Sequence, residues 1–223
     1  MQLTFTDRLA RKRDGAPREK PGRRPGPRPN VRHRVRPMHK YWNPVHVTLR
    51  AVAGLPSFRQ QMLYKAFDRT FRRTRREDFR IVEFSVQDNH VHMLIEADDN
   101  DALARGMKSV AVRANRLFNA ALGRGRGRVW GDRYHRRDLT DARQVRNALV
   151  YCLSNYKKHY RVTHGGPRID PFSSARWFQG WTAIRDGTED GPRPTEEART
   201  VLLDRAWKKH GFIHPGEAPR LAS

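Results

Sequence analysis

From Pro44 to Tyr160 the chain switches between two hydrophobic periods. Pro44–Arg50 (PVHVTLR), Arg80–Gln87 (RIVEFSVQ) and Val91–Ala97 (VHMLIEA) are short, rich in β-branched residues and patterned with a period near two, which predicts strands. Phe58–Arg75 instead repeats Phe58, Met62, Ala66, Phe67 and Phe71 at helical spacing, with Ser57 as its N-cap. Residues 101–122 carry Leu103, Met107, Val110, Leu117 and Ala121 in the same period; Asn100 precedes them as a cap and the GRGRG run at 123–127 ends them. Asp88-Asn89 suits a tight turn between the second and third strands. Val129–Leu139 predicts an irregular strand, and Asp141 caps a last helix running to about Tyr160. The first six elements spell the ferredoxin-like βαββαβ arrangement of the α+β class, an antiparallel sheet with both helices on one face. The seventh is an added C-terminal helix.

The flanks differ in composition. Residues 11–37 are dominated by proline, glycine and arginine and lack the apolar side chains a core needs, so residues 1–40 are expected to form a disordered basic arm. The domain is expected at 41–164 and a loosely packed tail, partly docked on it, at 165–223. The 223 residues hold 46 Lys and Arg against 23 Asp and Glu, a net charge of +23. The arm contributes +10, the domain +12 and the tail +1. So large an excess points to a polyanionic partner such as nucleic acid, although basic runs are commonly no more than solvated faces. The lone cysteine, Cys152, excludes a disulfide framework and a cysteine zinc site. No apolar run approaches the ~20 residues of a membrane span and no secretory apolar segment opens the chain, so a cytoplasmic protein without a membrane partner is expected.

Two small constellations carry candidate chemistry. In His90-Val91-His92 the imidazoles are two apart on a strand, project from one face, and could reach a single ion. In a chain with ten histidines the pair is equally readable as two unrelated surface residues. On the last helix Val145, Leu149, Cys152, Leu153 and Tyr156 form one apolar stripe at about 100° per residue, while Tyr151 and Asn155 lie together off it. That pair is either an amphipathic surface feature or a phenol offered to a site with an amide beside it. The candidate phosphate contacts are Arg124, Arg126, Arg128, Arg133, Arg136, Arg137, Lys157 and Lys158.

Taken in order, these residues resemble a family. A His-hydrophobe-His strand after a hairpin, followed by a helix carrying Tyr-x-x-x-Asn with its tyrosine 59 residues after His92, is similar to the single-tyrosine HUH transposases. The REP-associated tyrosine transposases and insertion-sequence relatives are the nearest branch. The stretches Trp130–Tyr134 (WGDRY), Asn147–Asn155 (NALVYCLSN) and 170–178 (DPFSSARWF) add to the likeness. The resemblance implies a bacterial, nucleoid-associated nuclease and strand transferase acting on single-stranded or hairpin DNA, with a homodimer as one arrangement open to it. His90 and His92 would bind a divalent cation, Mg²⁺ or Mn²⁺, with Asn155 as third ligand, and Tyr151 would be the nucleophile that forms a covalent 5′-phosphotyrosine. Relatives often have proline after that amide residue; here Tyr156 stands there and leaves the helix free to continue. Tyr134 is a second candidate nucleophile but lacks an amide partner on a helix.

Two other readings remain beside this one. A DNA-binding protein with the same fold could have lost cleavage, and a replication initiator or relaxase could share the chemistry. Relaxases usually place the tyrosine before the histidines and use a third histidine, so the order here disfavours them. The arm can be tested separately. Deleting residues 1–38 should weaken DNA binding and flatten the dependence of log K on log salt, because fewer counterions are released; an unchanged slope would make the arm a passive tail.

Overall fold

In the computed structural model the chain divides into two units, Met1–Pro37 and Met38–Ser223. The described residues are 37–159, 169–182 and 191–219, so the expectation for the arm lies almost wholly outside them. Four strands, β1 (Val45–Arg50), β2 (Phe79–Val86), β3 (His90–Ala97) and β4 (His135–Asp138), form one antiparallel sheet in the order β2-β3-β1-β4. With helices α1 (Gln61–Arg72) and α2 (Asn100–Ala121) placed between them in sequence, this is the ferredoxin-like topology.

Period-two alternation sorts β1 and β3 between two cores. Val45, Val47, Leu49, Val91, Met93 and Ile95 face α1 and α2. Aromatic side chains fill that core: Phe58, Phe67 and Phe118 meet with ring centroids 4.8–5.4 Å apart. Each such pair contributes about 0.5–1.5 kcal/mol beyond the area it buries. On α2, Gly106 lets the helix backbone settle on the Phe79 ring, where any Cβ would clash. On the opposite face Val82 and Leu94 pack under α3 (Ala142–Ser154), through the stripe Val145, Leu149, Cys152 and Leu153.

A register shift between Ile81 and Glu83 rephases β2. Phe79 and Ile81 face the first core before it, Phe84 and Val86 after it. Glu83, Ser85 and Gln87 are thereby turned to the α3 side.

Local boundaries differ from those the periodicity predicts. α1 begins at Gln61 because Ser57 does not cap it: the Ser57 hydroxyl donates to Asp88 Oδ1 and accepts from Arg59 N. Asp99, not Asn100, caps α2 by accepting from Ala102 N at 2.6 Å. Asn100 Oδ1 instead accepts from Arg136 and from His39 N. Asp141 caps α3 as expected, accepting from Gln144 N at 2.9 Å. α3 ends at Ser154, and α4 (Tyr156–His159) resumes after Asn155. Of the irregular strand 129–139, only His135–Asp138 forms a ladder, preceded by a single bridge from Trp130 to Ala51.

The described parts of the tail dock along β2 and α3. Phe172 O accepts from Val86 N, Ser174 Oγ from Phe84 N, and Ile81 O from Glu196 N, so the exposed edge of β2 is covered. Asp170, fully buried, holds Arg59 with two bonds of 2.7 and 2.9 Å. α5 (Val201–Asp204) and the turn Ala206–His210 bring Leu203 and Trp207 under α3. Arg146 of α3 is paired with Glu217. Among the described residues no helix is long and apolar enough to cross a membrane.

One buried acid gives this docking a pH dependence. Glu83 bonds Ser174 Oγ and lies 3.0 Å from Arg193, yet burial pushes its carboxyl up to about 7. The folded state then holds the Glu83 proton more tightly than the unfolded chain. The stability linked to it is full below about pH 4.5 and is lost as the pH rises to about 7. In urea unfolding, the stability of Glu83→Gln relative to the parent protein should therefore climb between pH 4.5 and 7 and be level above. A flat difference would contradict the shift.

Candidate active site

The α3-facing side of the sheet is polar at one end. Register places Thr48 beside His92 on one side and His135 on the other, and Arg50 beside His90. Cross-strand partners project from the same face, so β3, β1 and β4 present a row of His92, Thr48 and His135. His90 Nε2 and His92 Nε2 lie 3.0 Å apart. The second nitrogen of each ring is held by an oxygen: His90 Nδ1 is 2.8 Å from Asn89 Oδ1, and His92 Nδ1 is 3.1 Å from Thr48 Oγ1. Both imidazoles are buried, so these side chains fix their orientation.

α3 brings the tyrosine to this row. Cys152 packs against the sheet with Sγ 4.0 Å from His92 O, which directs its neighbour Tyr151 toward the histidines. The Tyr151 ring is edge-on to His92 at 5.0 Å between centroids and to His46 at 5.6 Å. An open cleft of about 370 Å³ is lined by Thr48, Arg50, His90, His92, Asp132, Arg133, His135 and Tyr151. Arg50, Arg133 and His135 are exposed there, so the mouth is basic and the floor is imidazole and phenol.

Asn155 lies one helical turn beyond Tyr151. It is fully buried, and among the described residues neither Oδ1 nor Nδ2 has a hydrogen-bond partner. A buried amide in that state costs free energy, so its presence needs a reason other than packing. Among the described residues no three His, Cys, Asp or Glu side chains converge as a ligand set.

The predicted basic residues divide. Arg133 lines the cleft, and Arg126 and Arg137 are exposed. Arg137 pairs with His46 in the register and shares the site face, whereas Arg136, one residue away, is turned to the other face. There Arg136 is tied to Asp138 and Asn100, a structural role rather than a phosphate contact. Arg124 bonds Asn119 Oδ1, and Arg128 caps the carbonyls of Trp130 and Gly131. Lys157 turns inward over Tyr156, its Nζ shielded without a hydrogen-bond partner among the described residues, and desolvation lowers its pKa. The Lys158 side chain lies outside the described residues. Tyr134 packs partly against the first core, away from the histidines.

Sequence reading missed His46. Its ring packs against both His92 and Tyr151, at 5.2 and 5.6 Å between centroids, its Nε2 is buried without a partner among the described residues, and burial with nearby His135 and Arg137 lowers its pKa to about 4. The signal was present: His46, Thr48 and Arg50 are the polar phase of β1.

Comparison with known proteins follows the same residues. The profile of the family described as Transposase IS200 like matches residues 45–155, from the first residue of β1 to Asn155. The chain belongs to this IS200-like family of single-tyrosine HUH transposases. A solved structure of a REP-associated tyrosine transposase bound to a REP hairpin is similar at 18% identity over 65% of this chain and 82% of that one, with a TM-score of 0.47. Curated proteins give no match.

The state of Asn155 makes a testable point about stability. Asn155→Leu removes an unsatisfied amide and keeps the volume, so it should raise stability by about 1–3 kcal/mol in chemical unfolding. A loss of stability would show that the amide is satisfied in the folded protein.

Proposed function

We propose that this protein is a metal-dependent single-stranded DNA endonuclease and strand transferase, a transposase that cleaves at hairpin DNA ends through Tyr151. The observation that carries this reading is the convergence of His90 Nε2, His92 Nε2 and the Tyr151 ring in one basic-mouthed cleft. A binding-only protein has no need to bury two imidazoles with their Nε2 atoms 3.0 Å apart and to leave an amide without a partner among the described residues one turn beyond the phenol.

The donor set fits a divalent cation such as Mg²⁺ or Mn²⁺. His90 and His92 would hold it through Nε2, with their Nδ1 atoms oriented by Asn89 and Thr48, and the Asn155 carboxamide would supply an oxygen. When bound, the ion polarises the scissile phosphate and offsets charge as it develops. Arg50 and Arg133 at the mouth hold flanking phosphates. The phenol oxygen of Tyr151, having released its proton to solvent, attacks phosphorus. The P–O3′ bond breaks, the departing oxygen takes up a proton as a 3′-OH, and the 5′-phosphate stays on Tyr151 as a phosphodiester. Attack by another 3′-OH reverses these steps and frees the tyrosine, so rejoining consumes no nucleotide cofactor.

Incubating the protein with hairpin DNA from the flanks of its own gene and Mn²⁺ should yield a covalent adduct on a denaturing gel. Tyr151→Phe should abolish the adduct and leave hairpin affinity within a few-fold. Adduct formation undiminished in Tyr151→Phe would remove Tyr151 from the mechanism. Tight binding without any adduct would favour the regulatory, binding-only alternative.

A further inference from the structure

A second buried carboxamide lies on the same sheet face. Gln87 follows β2 and closes the β2–β3 hairpin through its backbone, with Gln87 N donating to His90 O at 2.9 Å. It is 2% exposed. Its amide nitrogen donates to Ser85 Oγ at 2.7 Å, and Ser85 is the cross-strand partner of His92. The Gln87 side chain is thus drawn along the sheet beside the two histidines. Its oxygen, Oε1, is buried and accepts no hydrogen bond among the described residues.

The network beneath Gln87 holds that arrangement. Ser85 Oγ lies 3.4 Å from Asp170 Oδ2, and Asp170 is clamped by Arg59, which also donates to Val86 O at 2.9 Å. The amide nitrogen is committed to this network, so the oxygen is the end left for another partner. Asn155 repeats the pattern from the helix side: a fully buried carboxamide one turn beyond Tyr151, with no hydrogen-bond partner for its oxygen among the described residues. Two unsatisfied buried carbonyl oxygens in one described domain are costly unless a common partner repays both. A divalent cation of the Mg²⁺ or Mn²⁺ type takes several ligands and favours oxygen.

We propose that Gln87 is a further ligand residue of this site, its Oε1 donating to the same divalent cation as His90, His92 and Asn155. The proposal rests on the metal-dependent reading above. It makes the protein's contribution two neutral imidazoles and two neutral amides, leaving the cation's charge to be met by phosphate oxygens of the DNA. It also gives the Arg59–Asp170–Ser85 network a function, since that network orients the ligand.

The test needs no DNA and no catalysis. Mn²⁺ binding to the full-length protein is followed by the electron paramagnetic resonance signal of free Mn²⁺, with circular dichroism as a check of folding. Gln87→Met keeps the shape and removes the oxygen, and it should weaken Mn²⁺ binding about 10-fold or more. Gln87→Glu restores an oxygen donor and adds charge, so it should bind at least as tightly as the parent protein, even though it loses the bond from the amide nitrogen to Ser85. Unchanged affinity in Gln87→Met, or weakening in Gln87→Glu as severe as in Gln87→Met, would overturn the proposal. His92→Ala separates the two levels of the argument. If it abolishes Mn²⁺ binding while Gln87→Met does not alter it, Gln87 alone is excluded. If neither His92→Ala nor Gln87→Met changes binding, or the parent protein shows no saturable site, the metal-dependent reading itself fails.

Discussion

Strand β3 is buried on both faces along all eight residues, and the rest of the molecule is arranged to permit it. A strand in that position must satisfy its backbone from two neighbours and find cover above and below. β1 and β2 supply the first, α1 and α2 one cover, α3 with the tail the other. The alternation of Val91, Met93 and Ile95 with His90, His92 and Leu94 then decides everything local to the site. One phase anchors the strand in an aromatic core; the other carries imidazoles into a place where only oriented partners can satisfy them.

The second cover is made of distant sequence. Segments 169–182 and 191–217 lie along the edge of β2 and beneath α3, and several of their polar contacts engage buried acids: Asp170 with Arg59, Glu83 with Ser174 and Arg193, Glu96 with Thr200. Buried ion pairs add little net stability compared with apolar packing but are costly to break singly. Their effect here is to fix where the tail lies, and through Trp207 and Leu203 where α3 lies. The orientation of Tyr151 is a consequence of that packing as much as of its own helix.

The site itself accepts instability. Among the described residues Asn155 and Gln87 bury carboxamide oxygens with no hydrogen-bond partner, and His46 buries an imidazole nitrogen in the same condition. A domain with a large aromatic core can carry such groups, and local violations of good packing practice are expected to gather where chemistry is done. The basic residues follow a different logic. Arg133 and Arg50 line the mouth of the cleft, while Arg136, Arg124 and Arg128 bond carbonyls and carboxylates of the fold. Sequence counts of positive charge therefore overstate the surface on offer to DNA.

Much of this was legible without coordinates. Period-two and helical spacing locate three of the four strands and the three long helices, and strand geometry alone puts His90 and His92 on one face. Helical geometry alone puts Tyr151 next to Asn155. These are statements about neighbours within a few residues, where backbone stereochemistry leaves few choices. The start of α1 was not legible, because Asp88, far along the chain, takes the Ser57 hydroxyl that would have capped it. Nor was the bulge in β2 that turns Gln87 to the α3 side of the sheet, nor the inward face of Arg136, which depends on the register of β4 against β1. The meeting of Tyr151 with His46 and His92 was decided only by the fold, since it requires α3 to be pressed on the sheet by a tail whose sequence carries no periodic signal. Local order is written in spacing; the site comes from contacts between segments that spacing does not connect.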